Sequence, residues 1–187
     1  WTPAPAADDG RDGVVFAAGS DPSRDYATLL AAHCEAPLRI LSGLSLDIPA
    51  GKAVEQISGS FHDMAITDDV LRDIYRRAAL VVVPLKDVLQ PTGYSVTLQA
   101  MACGKPVILS DIRGLWDRDA FVSGENCILV PPGDTNALET AIAALLNDDA
   151  LRQKMGAAAR ETAERVFALA RMETSMRALV ATVQKAD

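Results

Sequence analysis

Leu80–Ser110 reads LVVVPLKDVLQPTGYSVTLQAMACGKPVILS. Leu80–Val83 is a continuous apolar run that stops at Pro84, the pattern of a strand buried on both faces. A polar loop with Pro91, Thr92 and Gly93 follows. The spacing then predicts a helix over about Ser95–Cys103, closed by Gly104, and Pro106–Ser110 (PVILS) is the next strand. A strand, a helix and a second strand in so short a span is the unit from which parallel sheets are built.

The same rhythm extends in both directions. Upstream, Val14–Ala18, Leu38–Leu41 and Val54–Ile57 read as strands. Ser23 is expected to cap a helix over Arg24–His33, and Thr67 one that runs through Ala78. The second of these carries Asp68 and Asp69 in its first turn and Arg76 and Arg77 in its last, the charge order a helix dipole favours. Downstream, Cys127–Val130 is a strand ended by Pro131-Pro132-Gly133. Asp134 or Thr135 caps a helix through Leu146, Asp149–Val166 is helical, and a last helix covers about 168–185. Alternating strands and helices predict an α/β domain, an open parallel sheet with helices on both faces. Such sheets bind ligands at the carboxyl ends of their strands, so loops 19–24, 58–66, 84–95 and 111–117 are where chemistry is sought.

Composition bounds the rest. With 187 residues, 18 Lys+Arg and 25 Asp+Glu, the net charge is −7, which lacks the basic field that non-specific nucleic-acid binding needs. Hydrophobic residues make up 49% but aromatics only 5%, so Ala, Val and Leu build the core. No apolar run reaches the roughly 18 residues of a membrane span. Residues 1–12, rich in Pro, Ala and Asp, read as a linker or truncated edge, with a domain over 13–187. Cys34, Cys103 and Cys127 have no metal-ligand or CxxC spacing, and His33 and His62 lie far apart, so no metal site is expected. The cysteines read as reduced side chains in a cytoplasmic protein.

Two segments carry anion chemistry. A helix that begins behind Gly93 leaves the amides near Tyr94–Val96 without intrahelical partners, at the positive end of its dipole. Thr92 and Ser95 are candidate hydroxyl donors beside them. In Gly19-Ser20-Asp21-Pro22-Ser23-Arg24, the arginine offers a fork of donors for a phosphate. At a helix start that cation is unfavourable unless an anion is near.

LQAMACGKPVILSDIRG, followed by NCILVPPGDTNALETAIAALLNDDALRQKMGAAARETAERVF, resembles the C-terminal, nucleotide-sugar-binding domain of retaining GT-B glycosyltransferases of the group 1 type. ITDDVLRDIYRRAALVVVPL is similar to the helix and strand before that family's donor loop, and the resemblance covers roughly residues 13–167. It implies a Rossmann-like sheet and a nucleoside-diphosphate sugar as substrate, with no cofactor and no metal. It also implies a preceding acceptor-binding domain, with the last helix packing toward it and membrane docking left to that missing part. By resemblance the diphosphate lies against Arg24, Thr92, Gly93, Tyr94 and Ser95, the ribose on Gln99, and the base near Gly59 and His62. The resemblance also implies that Asp111–Asp117 lines the crevice.

The sequence departs from the family at three positions. Pro91 and Gln99 stand where the family has glutamates, and Ser20 stands where it often has arginine, with Lys86 a candidate to compensate. The implied function is sugar transfer, with the 187-residue piece inactive alone. The alternatives are a non-catalytic binding or assembly domain that has lost both carboxylates, and a nucleotide-sugar epimerase of the same fold.

Overall fold

A computed structural model of the protein describes residues 1–3, 12–58 and 66–183. Among these, six strands form one sheet in the order β3-β2-β1-β4-β5-β6, every adjacent pair parallel. The strands are β1 (Val15–Ala18), β2 (Leu38–Leu41), β3 (Val54–Ile57), β4 (Leu80–Val83), β5 (Val107–Ser110) and β6 (Ile128–Val130). The helices are α1 (Tyr26–Ala31), α2 (Asp68–Arg77), α3 (Tyr94–Ala102), α4 (Thr135–Leu146), α5 (Asp149–Val166) and α6 (Leu169–Val183). This is the expected Rossmann-like sheet, with each strand within a residue of its expected bounds.

The two faces of the sheet bury separate cores, as the period-two geometry of strands requires. Phe16, Ala18, Val81, Val83, Val107 and Leu109 point to one side, where Tyr75 of α2 and Val96, Ala100 and Met101 of α3 meet them. Val15, Ala17, Leu38, Ile40, Val82 and Ile108 point to the other, against Leu29 of α1 and Leu138 and Ile142 of α4. Burial on both faces explains why β1 and β4 read as unbroken apolar runs. Thr67 caps α2 and Asp134 caps α4, each accepting the amide three residues on.

The start of α1 departs from expectation. Asp25 is its N-cap, accepting from the Thr28 amide at 3.2 Å and the Thr28 hydroxyl at 2.6 Å, and the helix begins at Tyr26. Ser23 is not the cap, and Arg24 lies outside the helix. A carboxylate outcompetes the earlier hydroxyl for the cap because its bonds are charge-assisted.

Candidate functional site

The strand order reverses between β1 and β4. The chain leaves β1 toward β2 and β3, and leaves β4 toward β5 and β6, so the loops after β1 and β4 diverge and open a crevice at their carboxyl ends. These loops are the two segments singled out for anion chemistry. They are tied to each other by backbone: Arg24 and Leu85 form an antiparallel bridge, the Asp25 amide donates to the Pro84 carbonyl at 3.0 Å, and the Lys86 amide donates to the Ser23 carbonyl at 2.8 Å.

That clamp drives Arg24 inward. The residue is only 7% exposed, and its Nε and Nη1 are buried with no hydrogen-bond partner among the described residues. Burial pulls its pKa down from the usual value, opposed by Tyr26, Tyr75 and Asp21 nearby. An arginine stays ionised throughout the ordinary pH range, so this is a buried cation with donors unused. The expected signal, a cation misplaced in a first helical turn, is replaced by a stronger one. The guanidinium is walled by two glycines: a Cβ on Gly19 would overlap its Nε, and one on Gly93 would stand 3.2 Å from its Nη1.

Gly93 is the N-cap of α3, in the left-handed region at φ 78°, and has no side chain to cap the first turn. The α3 amides therefore present themselves to the same space as the Arg24 guanidinium. A groove of about 460 Å³ lies there, lined by Gly19, Asp21, Arg24, Thr92, Tyr94 and Ser95 among others. Ser95 and Tyr94 are exposed on its rim.

Thr92 takes a different role from the expected phosphate donor. The Ser23 hydroxyl donates its proton to the Asp21 carboxylate, and the Ser23 amide donates there at 2.8 Å. These bonds hold the Asp21 carboxyl below its usual pKa, side-chain bond first. With its only proton used, Ser23 can only accept from Thr92, 3.1 Å away. The Thr92 proton is thus committed to Ser23, and the Asp21–Ser23–Thr92 chain latches the two loops at the groove mouth.

Gln99 sits further along α3 and does not line the groove. Its Oε1 accepts the Tyr75 hydroxyl at 3.1 Å. Tyr75 is fully buried, and burial pushes its pKa well above the usual value, so it stays a donor. Pro91 lines the groove and is exposed. Ser20 accepts the Gly43 amide at 2.8 Å. Lys86, the candidate to compensate for it, donates from Nζ to the Pro22 carbonyl at 2.9 Å and is not among the residues lining the groove. Gly59 and His62 lie outside the described residues. Asp111 pairs with Arg118, and Asp117 precedes a short 3-10 turn over Arg118–Ala120. Trp116 is half-buried, packing edge-on against Phe121 at 5.0 Å and Tyr94 at 6.2 Å.

Sequence reasoning missed Asp21 and Tyr75. Asp21-Pro22-Ser23 is an Asx-turn sequence, which signalled the first. Tyr75, four residues after Leu71 on the apolar face of α2, had to find a partner for its hydroxyl, which signalled the second. The cysteines are free, with Cys103 and Cys127 buried and Cys34 half-buried. Burial pushes the Cys103 thiol up to about 11 and the Cys127 thiol to about 12, so neither is a nucleophile. His33 is exposed. Among the described residues there is no cluster of three or more His, Cys, Asp or Glu that could hold a metal, and no helix long and apolar enough to cross a membrane.

Comparison with known proteins places this arrangement. A family profile described as glycosyl transferases group 1 matches residues 47–148. A D-inositol 3-phosphate glycosyltransferase of Corynebacterium diphtheriae is 31% identical over 147 residues, covering 76% of this chain and 32% of that protein. A phosphatidyl-myo-inositol mannosyltransferase of Mycobacterium leprae is 43% identical over 70 residues, covering 37% of this chain and 18% of that protein. Among solved structures, sucrose-phosphate synthase from Thermosynechococcus elongatus superposes with a TM-score of 0.75 at 26% identity, over 98% of this chain and 47% of that one. HepE of Anabaena, solved with UDP and glucose, superposes with a TM-score of 0.71 at 16% identity, over 94% of this chain and 49% of that one. The chain thus spans about half the length of these structures and a third or less of the two curated relatives.

Proposed function

The chain belongs to the group 1 glycosyl transferases, and on that premise we propose that it is the donor-binding part of an enzyme moving a sugar from a nucleoside-diphosphate sugar to an acceptor. One observation carries this reading: Arg24, a buried guanidinium with two unused nitrogens, lies beside the uncapped N-terminus of α3 in one groove. A diphosphate supplies the charge and the acceptor oxygens that both lack.

The chemistry follows from where charge develops. As the bond between sugar and diphosphate breaks, the departing phosphate oxygen gains negative charge. Arg24 and the amides of Tyr94 and Ser95 are fixed in place before the reaction, so they stabilise that charge without reorganising. This is the work a metal does in other transferases, and the reading here is metal-independent transfer. Gln99 is assigned to the ribose, and the Gly59–His62 segment to the base. The acceptor site belongs to the rest of the enzyme, and the 187-residue chain alone binds donor without turning it over.

A second reading rests on Pro91 and Gln99. With no carboxylate at either place, the domain serves as a binding or assembly module. Calorimetric titration with UDP, GDP and ADP separates the two. Saturable binding of any of them supports the donor reading. Silence across all three overturns it in favour of the second.

A further inference from the structure

We infer that Tyr94 is a specificity residue for the transferred sugar, its ring a platform for a pyranose face on the β5 side of the groove. The inference rests on the donor reading above. Three observations carry it.

Tyr94 is the first residue of α3, directly after Gly93, so its side chain stands where the α3 amides meet a phosphate. It lines the groove that holds Arg24 and is 53% exposed, so one side of the ring is open to a ligand. It is also braced. Trp116, from the loop after β5, meets it edge-on at 6.2 Å, and Phe121 backs Trp116 at 5.0 Å. A ring held from behind and open in front offers contact area at little conformational cost.

Direction along the groove decides which end of the ligand Tyr94 meets. Gln99 is five residues further along α3, about 140° round the helix and about 7.5 Å along its axis. It faces α2, through Tyr75. Tyr94 faces the loop after β5, through Trp116. A diphosphate centred on Arg24 therefore has two flanks. The α2 flank takes the nucleoside by way of Gln99, and the β5 flank, with Tyr94, is left for the sugar. The axial C–H face of a pyranose packs on an aromatic ring, and the Tyr94 hydroxyl is available to bond a sugar hydroxyl.

The test compares ligands that differ only in the sugar. The whole chain is titrated by calorimetry with UDP and UDP-glucose, and with GDP and GDP-mannose. Tyr94→Ala and Tyr94→Phe are measured beside the native protein, with far-UV circular dichroism to verify folding. The expected result is that the ratio of sugar-nucleotide to nucleotide affinity falls about fivefold in Tyr94→Ala and recovers in Tyr94→Phe. A ratio unchanged in Tyr94→Ala, while nucleotide binding persists, overturns the assignment of Tyr94 alone. A loss equal for both ligands means the ring packs on phosphate or base, and overturns it too. No binding of any nucleotide by the native chain overturns the donor reading and this inference with it.

Discussion

Gly93 and Arg24 are fitted to each other: a Cβ at residue 93 would stand 3.2 Å from the Arg24 Nη1 and 2.9 Å from the Val83 Cγ1. The backbone there is left-handed, at φ 78°. Gly93→Ala therefore meets steric overlap and a disfavoured conformation together. It is expected to lower stability by about 1–3 kcal/mol, from overpacking and positive φ. It also displaces the guanidinium, so nucleotide affinity falls at least tenfold. Chemical denaturation and calorimetry on the same preparation check both effects. Native stability in Gly93→Ala would mean the slot is looser than these distances allow.

Arg24→Met separates function from stability by sign. The native side chain is a buried cation with Nε and Nη1 unpartnered, a state that opposes folding until an anion arrives. Methionine fills comparable volume without charge. The variant is expected to match or exceed the ligand-free native protein in thermal midpoint, and to lose most diphosphate binding. The native protein gains about 2.7 kcal/mol at a ligand concentration a hundredfold above Kd, and the variant gains only a small part of that at the same concentration. A variant that melts well below the native protein without ligand would show that Arg24 holds the fold together instead.

Legibility differed between the sheet and the site for physical reasons. A strand buried on both faces announces itself as an apolar run, so β4 was readable to the residue, while β2 and β3 were found from short mixed runs that carry Arg39, Glu55 and Gln56. The Gly93 turn and the α3 start were readable because only glycine serves a left-handed N-cap without strain. The burial of Arg24 was not readable. It follows from pairing between residues 22–25 and 84–86, a contact across the sheet that no local pattern encodes. The commitment of the Thr92 proton to Ser23 was hidden for the same reason, since it needs Asp21, Ser23 and Thr92 in one place. Gln99 was located on its helix, but its lock to Tyr75 joins two helices.

Asp12 predicts an acid-sensitive edge. Its carboxylate accepts from Arg77 Nε at 2.9 Å and Arg39 Nη1 at 3.0 Å, joining the chain before β1 to α2 and β2. The Arg77 bond, then Arg39, hold its pKa below the ordinary 3.8, against a desolvation that raises it. A carboxyl lowered on folding stabilises the native state above its unfolded pKa, and that stability is lost as pH falls through the folded value. Stability is therefore expected to drop below about pH 4. Asp12→Asn is expected to be less stable at neutral pH and to show a shallower acid slope. Denaturant titrations from about pH 2.5 to about pH 7 measure the slope. Identical slopes in the two proteins would remove Asp12 from the acid transition.

Gln99 offers a test of the proposed ribose contact. Tyr75 is a buried donor, so it fixes Oε1 of the amide inward and leaves Nε2 as the group presented outward. A ribose hydroxyl then meets a neutral donor. Gln99→Glu keeps one oxygen on the Tyr75 hydroxyl and turns the other outward as a charged acceptor, which binds a hydroxyl more strongly than an amide does. Affinity for a nucleoside diphosphate is expected to rise by roughly threefold to tenfold, the gain of a charged over a neutral hydrogen bond. The gain should vanish for the 2′,3′-dideoxy nucleotide, which has no diol to donate. Tyr75→Phe releases the amide to rotate. In that background the affinity difference between the native glutamine and the Gln99→Glu variant should shrink, without binding being abolished. Equal gains for ribo- and dideoxynucleotides would place the new carboxylate away from the sugar, and the ribose assignment of Gln99 would fall while the Arg24 groove stood.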